Sequence, residues 1–218
     1  NTTELVKDKL TLDVGATYMR QYDRNSLVQG LYHNPLIPIY LFPRGDDIRK
    51  YQIYERYDAT AGYMKQFWPL EFLTGVENPY WVTNRELFEN TAHRYTFNGT
   101  MKWDITDWMS LTGRVRMDNT TMNYTRKIYA SSDELFASEY GNYLDHTATH
   151  NNLYADALLS IDKMFLDDRL SLQFNLGASL MDDKNKVTGF EGHLATQPNK
   201  FTLSLIHISE PTRRVVIS

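Results

Sequence analysis

Five stretches of this chain alternate strictly between apolar and polar side chains, and that period of two restricts them to strands with one face against an apolar medium and the other against water. From Leu10 to Tyr18 the even positions are Leu10, Leu12, Val14, Ala16 and Tyr18, separated by Thr11, Asp13, Gly15 and Thr17. From Arg94 to Ile105 the odd positions are Tyr95, Phe97, Gly99, Met101, Trp103 and Ile105, against Arg94, Thr96, Asn98, Thr100, Lys102 and Asp104. A third run sets Met109, Leu111, Gly113, Val115 and Met117 against Ser110, Thr112, Arg114 and Arg116. A fourth sets Leu153, Ala155, Ala157, Leu159 and Ile161 against Asn152, Tyr154, Asp156 and Ser160. In the fifth, Leu170, Leu172, Phe174, Leu176, Ala178 and Leu180 alternate with Ser171, Gln173, Asn175, Gly177 and Ser179.

The connections between these runs are of two kinds. The second and third are joined by the few residues around Asp104 to Asp107, and the fourth and fifth by Asp162 to Arg169, both short enough for hairpins. Asn25 to Thr91, Asn119 to His150 and Asp182 to Phe201 are long connections that leave the opposite strand ends. Short turns at one end and long loops at the other are the asymmetry of outer-membrane barrels. Aromatic placement agrees: Trp103, Trp108 and Phe165 sit beside the short turns, and Tyr18, Tyr22 and Tyr95 where strands meet a long loop, as two interfacial girdles would.

Composition fits this reading. The 218 residues include 15 Tyr, 10 Phe and 4 Trp, yet mean hydropathy is −0.50. A wall with one face in lipid, one in a wet lumen and long loops in water gives that pairing. A soluble all-β sandwich shares the composition but rarely tolerates a connection as long as the first. No stretch of 18 apolar residues is present, which excludes a transmembrane helix and leaves transmembrane strands open. With no cysteine, disulfides, thiol catalysis and thiolate metal sites are excluded. The net charge of −4, with basic residues scattered among acidic ones, offers no footprint for nucleic acid. The expected fold is all-β: about five long meander strands of an antiparallel transmembrane β-barrel, forming an open curved sheet with long extracellular loops. Because such barrels begin at about 8 strands, five form one arc of a wall. That arc, isolated, is expected to aggregate.

The first connection carries FPRGDDIRKYQIYERYD (Phe42 to Asp58), FWPLEF (Phe67 to Phe72) and ENPYWVTNRELFEN (Glu77 to Asn90). FPRGDD and NPYW, followed by Asn84 to Phe88 and a strand, resemble an extracellular loop of the SusC/RagA-type TonB-linked (TonB-dependent) outer-membrane transporters. PNKFTLS at Pro198 to Ser204 is similar to a later loop-to-strand boundary of that family. The resemblance implies a many-stranded barrel with an N-terminal plug, energy from the TonB complex, a SusD-like lipoprotein lid, and import of oligosaccharide or, as in the RagA branch, peptide. Neither plug nor TonB-interacting segment falls within this sequence. A soluble glycan-binding β-sandwich module is the reading from another class, and it would stay monomeric without detergent.

Candidate residues follow from position. Asp13, Arg94, Lys102, Asp104, Arg114, Arg116 and Asp156 occupy the polar face and are expected to face the lumen, where they either pair with one another or meet plug and solute. Trp68, Tyr80 and Trp81 either stack on sugar rings or grip the lid, or pack the loop's own core. Asp46 and Asp47 are placed to cap a short helix over Ile48 to Tyr54. Ser131 and Glu134 fit a capping box. His146 and His150 lack the helical context that would bring two imidazoles to one metal. No catalytic residue, metal or cofactor is expected. Residues 1–202 read as barrel, and 203–218 as non-native: LSLIHISEPTR from Leu203 to Arg213 resembles a translated sequencing adaptor. Without Met or a leader before Asn1, an export signal is expected upstream.

Overall fold

A computed structural model describes residues 2–26, 29–165 and 170–206. The chain is built on a six-stranded open antiparallel sheet. Its strands are β1 (Thr2–Val6), β2 (Leu10–Arg24), β5 (Glu86–Thr106), β6 (Met109–Tyr129), β7 (Gly141–Phe165) and β8 (Leu170–His193), in the order β1-β2-β5-β6-β7-β8. A two-stranded hairpin of β3 (Glu55–Asp58) and β4 (Tyr63–Gln66) lies in the first long connection. That connection also holds α1 (Leu36–Leu41), a 3-10 turn at Ile48–Gln52 and α2 (Pro79–Arg85).

All five predicted strands form, and each extends past its predicted end. The connection expected at Asn119 to His150 shrinks to residues 130–140, and β8 runs on to His193 where a loop was expected from Asp182. Hydrophobic alternation marks a strand only where one of its faces is apolar, whereas the backbone ladder continues into segments polar on both faces. β1, too short and polar to show a pattern, was not predicted. The fourth turn was predicted over Asp162 to Arg169, but β7 continues to Phe165; 166–169 lie outside the described residues.

The chain divides into two compact units. The first holds the described residues of Asn1–Gln21, Ala92–Met122 and Ala148–Val187. Here the short turns share one end of the sheet: Asp104 N–H donates to Lys9 O at 2.8 Å, beside the β1–β2 turn, and Asp162 N–H to Trp108 O at 2.8 Å, in the β5–β6 turn. Its two faces differ as the sequence predicts. One carries Gly15 against Asn98, Arg94 and Thr96 against Asp118, Arg114 against Asp156, and Asn152 against Asp183. The other carries Tyr18 against Tyr95, with ring centroids 4.9 Å apart, and the apolar members of every run.

That apolar face is uncovered. Tyr95, Phe97, Met101 and Trp103 on β5 and Leu170, Leu172, Phe174, Leu176 and Leu180 on β8 are all exposed. Each strand's apolar stretch is 9 to 11 residues long and gives way to polar residues on the same face: His93 on β5, Asn119 on β6, Asn151 on β7, Asp182 and Lys184 on β8. Trp103, Trp108 and Phe165 stand at the turn end, with Lys163 Nζ 4.3 Å from the centre of the Trp108 ring.

The second unit, from Tyr22–Thr91, Asn123–Thr147 and the described part of Thr188–Ser218, holds every buried hydrophobic side chain among the described residues. Trp68, Leu70 and Val76 form its central cluster, flanked by Phe42, Ile48 and Tyr51. Gly141, at φ 112°, permits a close approach: a Cβ there would stand 2.7 Å from Ile128 O. Of the tail predicted as adaptor-derived, 203–218, only Leu203 to Ile206 fall among the described residues, as a 3-10 turn and a bridge from Ile206 to Leu194.

Candidate functional site

The polar face of the first unit brings charged residues from neighbouring strands into register. Arg94 reaches Asp118 across the β5–β6 pair, and Arg116 approaches it from two residues away on β6 itself. Arg94 forks onto the carboxylate through Nε at 3.0 Å and Nη2 at 2.5 Å, Thr96 Oγ1 donates at 3.3 Å, and Arg116 Nη2 stands 3.8 Å away. A two-pronged guanidinium contact is strong and directional, and it leaves the Asp118 side chain 9% exposed on an otherwise open face. Arg114 Nε donates to Asp156 at 2.9 Å. Next along, His150 Nδ1 lies 2.5 Å from Asn185 Oδ1 and 3.5 Å from Asp183.

A groove of about 610 Å3 runs over this face, bordered by Arg116, Asp118, His150, Tyr154 and Met181. Arg116 keeps most of its guanidinium toward the open side, its side chain 59% exposed. Lys102 pairs with Asp104 on its own strand at 3.0 Å, and Asp13 accepts from Thr2 Oγ1 at 2.6 Å. All seven polar-face residues singled out in the sequence therefore lie on one face, and six of the seven have a charged or hydroxyl partner within 3.1 Å. The carboxylate joining Arg94 and Arg116, Asp118, was missed because the third run was ended at Met117. It continues the same alternation one step further.

In the second unit the NPYW segment is a structural clamp. Asn78, wholly buried, caps α2 by accepting from Tyr80 N–H at 2.9 Å, while its Nδ2 donates to Tyr51 O and Phe67 O, each at 2.9 Å. Pro79 opens the helix, where its missing N–H costs nothing. Trp81 is 0% exposed and donates through Nε1 to Ser132 Oγ at 2.8 Å. Trp68 is 3% exposed, its ring 5.5 Å from both Phe42 and Tyr51. Neither tryptophan presents a ring face to solvent; the two pack the loop's core. Tyr80 is half-buried, its hydroxyl accepting from Gln52 Nε2 at 3.4 Å.

Asp47 caps the 3-10 turn by accepting from Arg49 N–H at 3.0 Å, so the predicted cap forms on a shorter and tighter helix. The Ser131–Glu134 capping box does not form. Ser131, at φ 81°, instead accepts from Gln66 N–H, and Asp133 takes the local N–H of Leu135. His146 and His150 both lie within β7 rather than in a loop.

Sequence reasoning also missed a buried acid pair. Glu77 and Glu86 flank α2 and are 4% and 0% exposed. Burial, and then the neighbouring Glu86 carboxyl, hold Glu77 well above the usual carboxylate range. Burial pushes Glu86 up to about 6. Gln66 Nε2 and Asp133 N–H donate to Glu77, and His33 Nδ1 lies 2.8 Å from Glu86. Burial lowers the His33 pKa, keeping the imidazole neutral at pH 7. Among the described residues, no group of three or more His, Cys, Asp or Glu is arranged to hold a metal. Neither a protein-family model nor a curated protein sequence matches this chain.

Proposed function

We propose that this chain forms part of the wall of an outer-membrane β-barrel importer of the TonB-dependent, SusC-like kind, and that it holds and passes solute without acting on it chemically. The observation that carries this reading is the division of the hydrophobic residues. Among the described residues all the buried ones belong to the second unit, while the first leaves an apolar face open along five strands. In water that exposure is a liability. In lipid it is the resting state, and stretches of 9 to 11 residues match the strand length that crosses a bilayer. A sandwich needs a comparable second sheet, and among the described residues the other sheet is the two-stranded β3–β4.

On this reading the charged face lines the lumen, where plug and solute pass. The short turns face the periplasm. The long connections face outside, where a SusD-like lipoprotein closes on the barrel. The solute is an oligosaccharide, and peptide is the alternative that the family resemblance carries. Uptake separates them: bacteria lacking the gene should lose accumulation of fluorescent oligosaccharides and keep that of fluorescent peptides. The opposite pattern would assign the protein to peptide import, and unchanged uptake of both would remove the transport reading.

A further inference from the structure

We infer that residues 131–135, in the connection between β6 and β7, are a latch over the loop core of the second unit, fastened while Glu77 keeps its proton and released when that proton leaves; this holds whether or not the sheet is a membrane wall. Polar contacts hold the latch more than apolar burial does. Gln66 N–H donates to Ser131 Oγ at 3.0 Å, Trp81 Nε1 to Ser132 Oγ at 2.8 Å, Gly75 N–H to Asp133 Oδ2 at 2.6 Å, and Asp133 N–H to Glu77 Oε1 at 2.9 Å. Leu135, the large apolar side chain of the segment, is exposed. The chain on either side is anchored: Ala130 and Ala137 are buried, and Phe136 stacks its ring 4.1 Å from that of His33. Ser131 sits in the left-handed backbone region at φ 81°, a conformation that costs a residue with a Cβ and that release would relieve.

Glu77 is the node. Its Oε1 takes Asp133 N–H and Gln66 Nε2 together, so one buried carboxyl ties the latch to the end of β4. The charged groups that surround it are mostly acids. Glu86, wholly buried after α2, has no hydrogen-bond partner at Oε1. Asp133 belongs to the latch, and Glu71 and Glu134 border with it and Glu77 a cavity of about 570 Å3. From the first connection His33 Nδ1 lies 2.8 Å from Glu86 Oε2, and Arg126 on β6 is engaged by Asn142 and Glu191. An ionised Glu77 would stand buried and without a cation beside Glu86 and Asp133, so the closed latch favours the neutral acid. Burial, and then Glu86, accordingly hold its pKa well above the usual carboxylate range. The closed form therefore keeps a proton that the open form has lost, and closure, favoured in acid, weakens as pH rises through the raised value. Once ionised, Glu77 repels Asp133, and little apolar burial opposes the departure of the segment that carries it. At alkaline pH His33 is neutral in both forms, because burial lowers its pKa from 6.5, so release there reports the carboxyls.

The test is hydrogen exchange of the full chain in detergent, comparing wild type with Glu77→Gln, which keeps an acceptor for Asp133 N–H and cannot ionise. The ratio of the two at each pH cancels the chemical acceleration of exchange by base. At about pH 5 the amides of Gly75 and Asp133 should exchange alike in both proteins. At about pH 9 they should exchange at least tenfold faster in wild type, the factor that a rise of about one unit in a carboxyl pKa carries. Asp133→Asn, which removes the repelled charge and retains the N–H, should flatten the same rise, and it decides the matter if Glu77→Gln fails to fold. Amides of β5 and β6 within the first unit should keep their protection throughout. Equal exchange in wild type and folded Glu77→Gln at every pH, an unaltered rise in Asp133→Asn, or first-unit amides that open together with residues 131–135 would overturn the inference and leave the transport reading untouched.

Discussion

Glu77 and Glu86 set the pH response of the second unit. Because burial raises both carboxyls, the folded unit holds protons that the unfolded chain has released. The Glu86 contribution is therefore complete below its ordinary value of 4.5 and lost as pH rises through about 6. The shift corresponds to on the order of 2 kcal/mol. His33 opposes it: its lowered pKa gives stability that is present above 6.5 and lost on acidification. Glu86→Gln should remove its own share of the first limb and leave that of Glu77, so that protection of the Asp133 amide, which donates to Glu77, falls less steeply between pH 5 and 7 in hydrogen exchange. An unchanged slope would mean that Glu86 is not the titrating group. The two buried tryptophans make a second contrast. Trp81→Phe loses the bond to Ser132 and should cost about 1 kcal/mol beyond lost packing, whereas Trp68 Nε1 has no partner, so Trp68→Phe should cost less by urea titration. The sequence singled out both indoles and could not decide between a ligand and the loop core, because an aromatic followed by Pro or Val reads alike in either setting. Glu77 and Glu86 were invisible for a related reason: nothing local tells a buried carboxyl from a solvated one.

Individual strands show where period-two reading succeeds and where it stops. Along β8 the alternation from Leu170 to Leu180 separates an apolar face from a polar one. From Asp182 to Lys186 both faces are polar, so the pattern vanishes while the strand continues to His193. The strand ends were underestimated for that reason, and the loops overestimated. The Ser131–Glu134 box failed differently: its spacing is right, but Gln66 on β4, 65 residues away in sequence, takes the hydroxyl that a helix would need. Alternation also yields a prediction for β8. Phe174→Arg, in the middle of the outward band, should cost about 2 to 4 kcal/mol of folding stability in a bilayer, and Asn175→Arg, one residue along on the other face, should cost much less. Equal costs would mean that the two faces of β8 meet the same medium.

For the molecule as a whole, the all-β architecture, the meander order and the turn-to-loop asymmetry were all legible in the sequence, because each follows from residue patterns within single strands or short turns. The folded second unit was not, since its core joins residues from three separate connections and no local period records that. On the proposed reading the apolar face of the first unit meets lipid and its charged face meets water. Because the chain contains no cysteine, each position from Arg94 to Ile105 can carry a single nitroxide label in the protein in its native membrane. The measurement is the accessibility of each label to oxygen, which concentrates in lipid, and to a nickel chelate, which stays in water. A wall in lipid gives oxygen maxima at Tyr95, Phe97, Gly99, Met101 and Trp103, with nickel maxima at the even positions between them. Nickel access at all positions alike would contradict it and place both faces of the sheet in water.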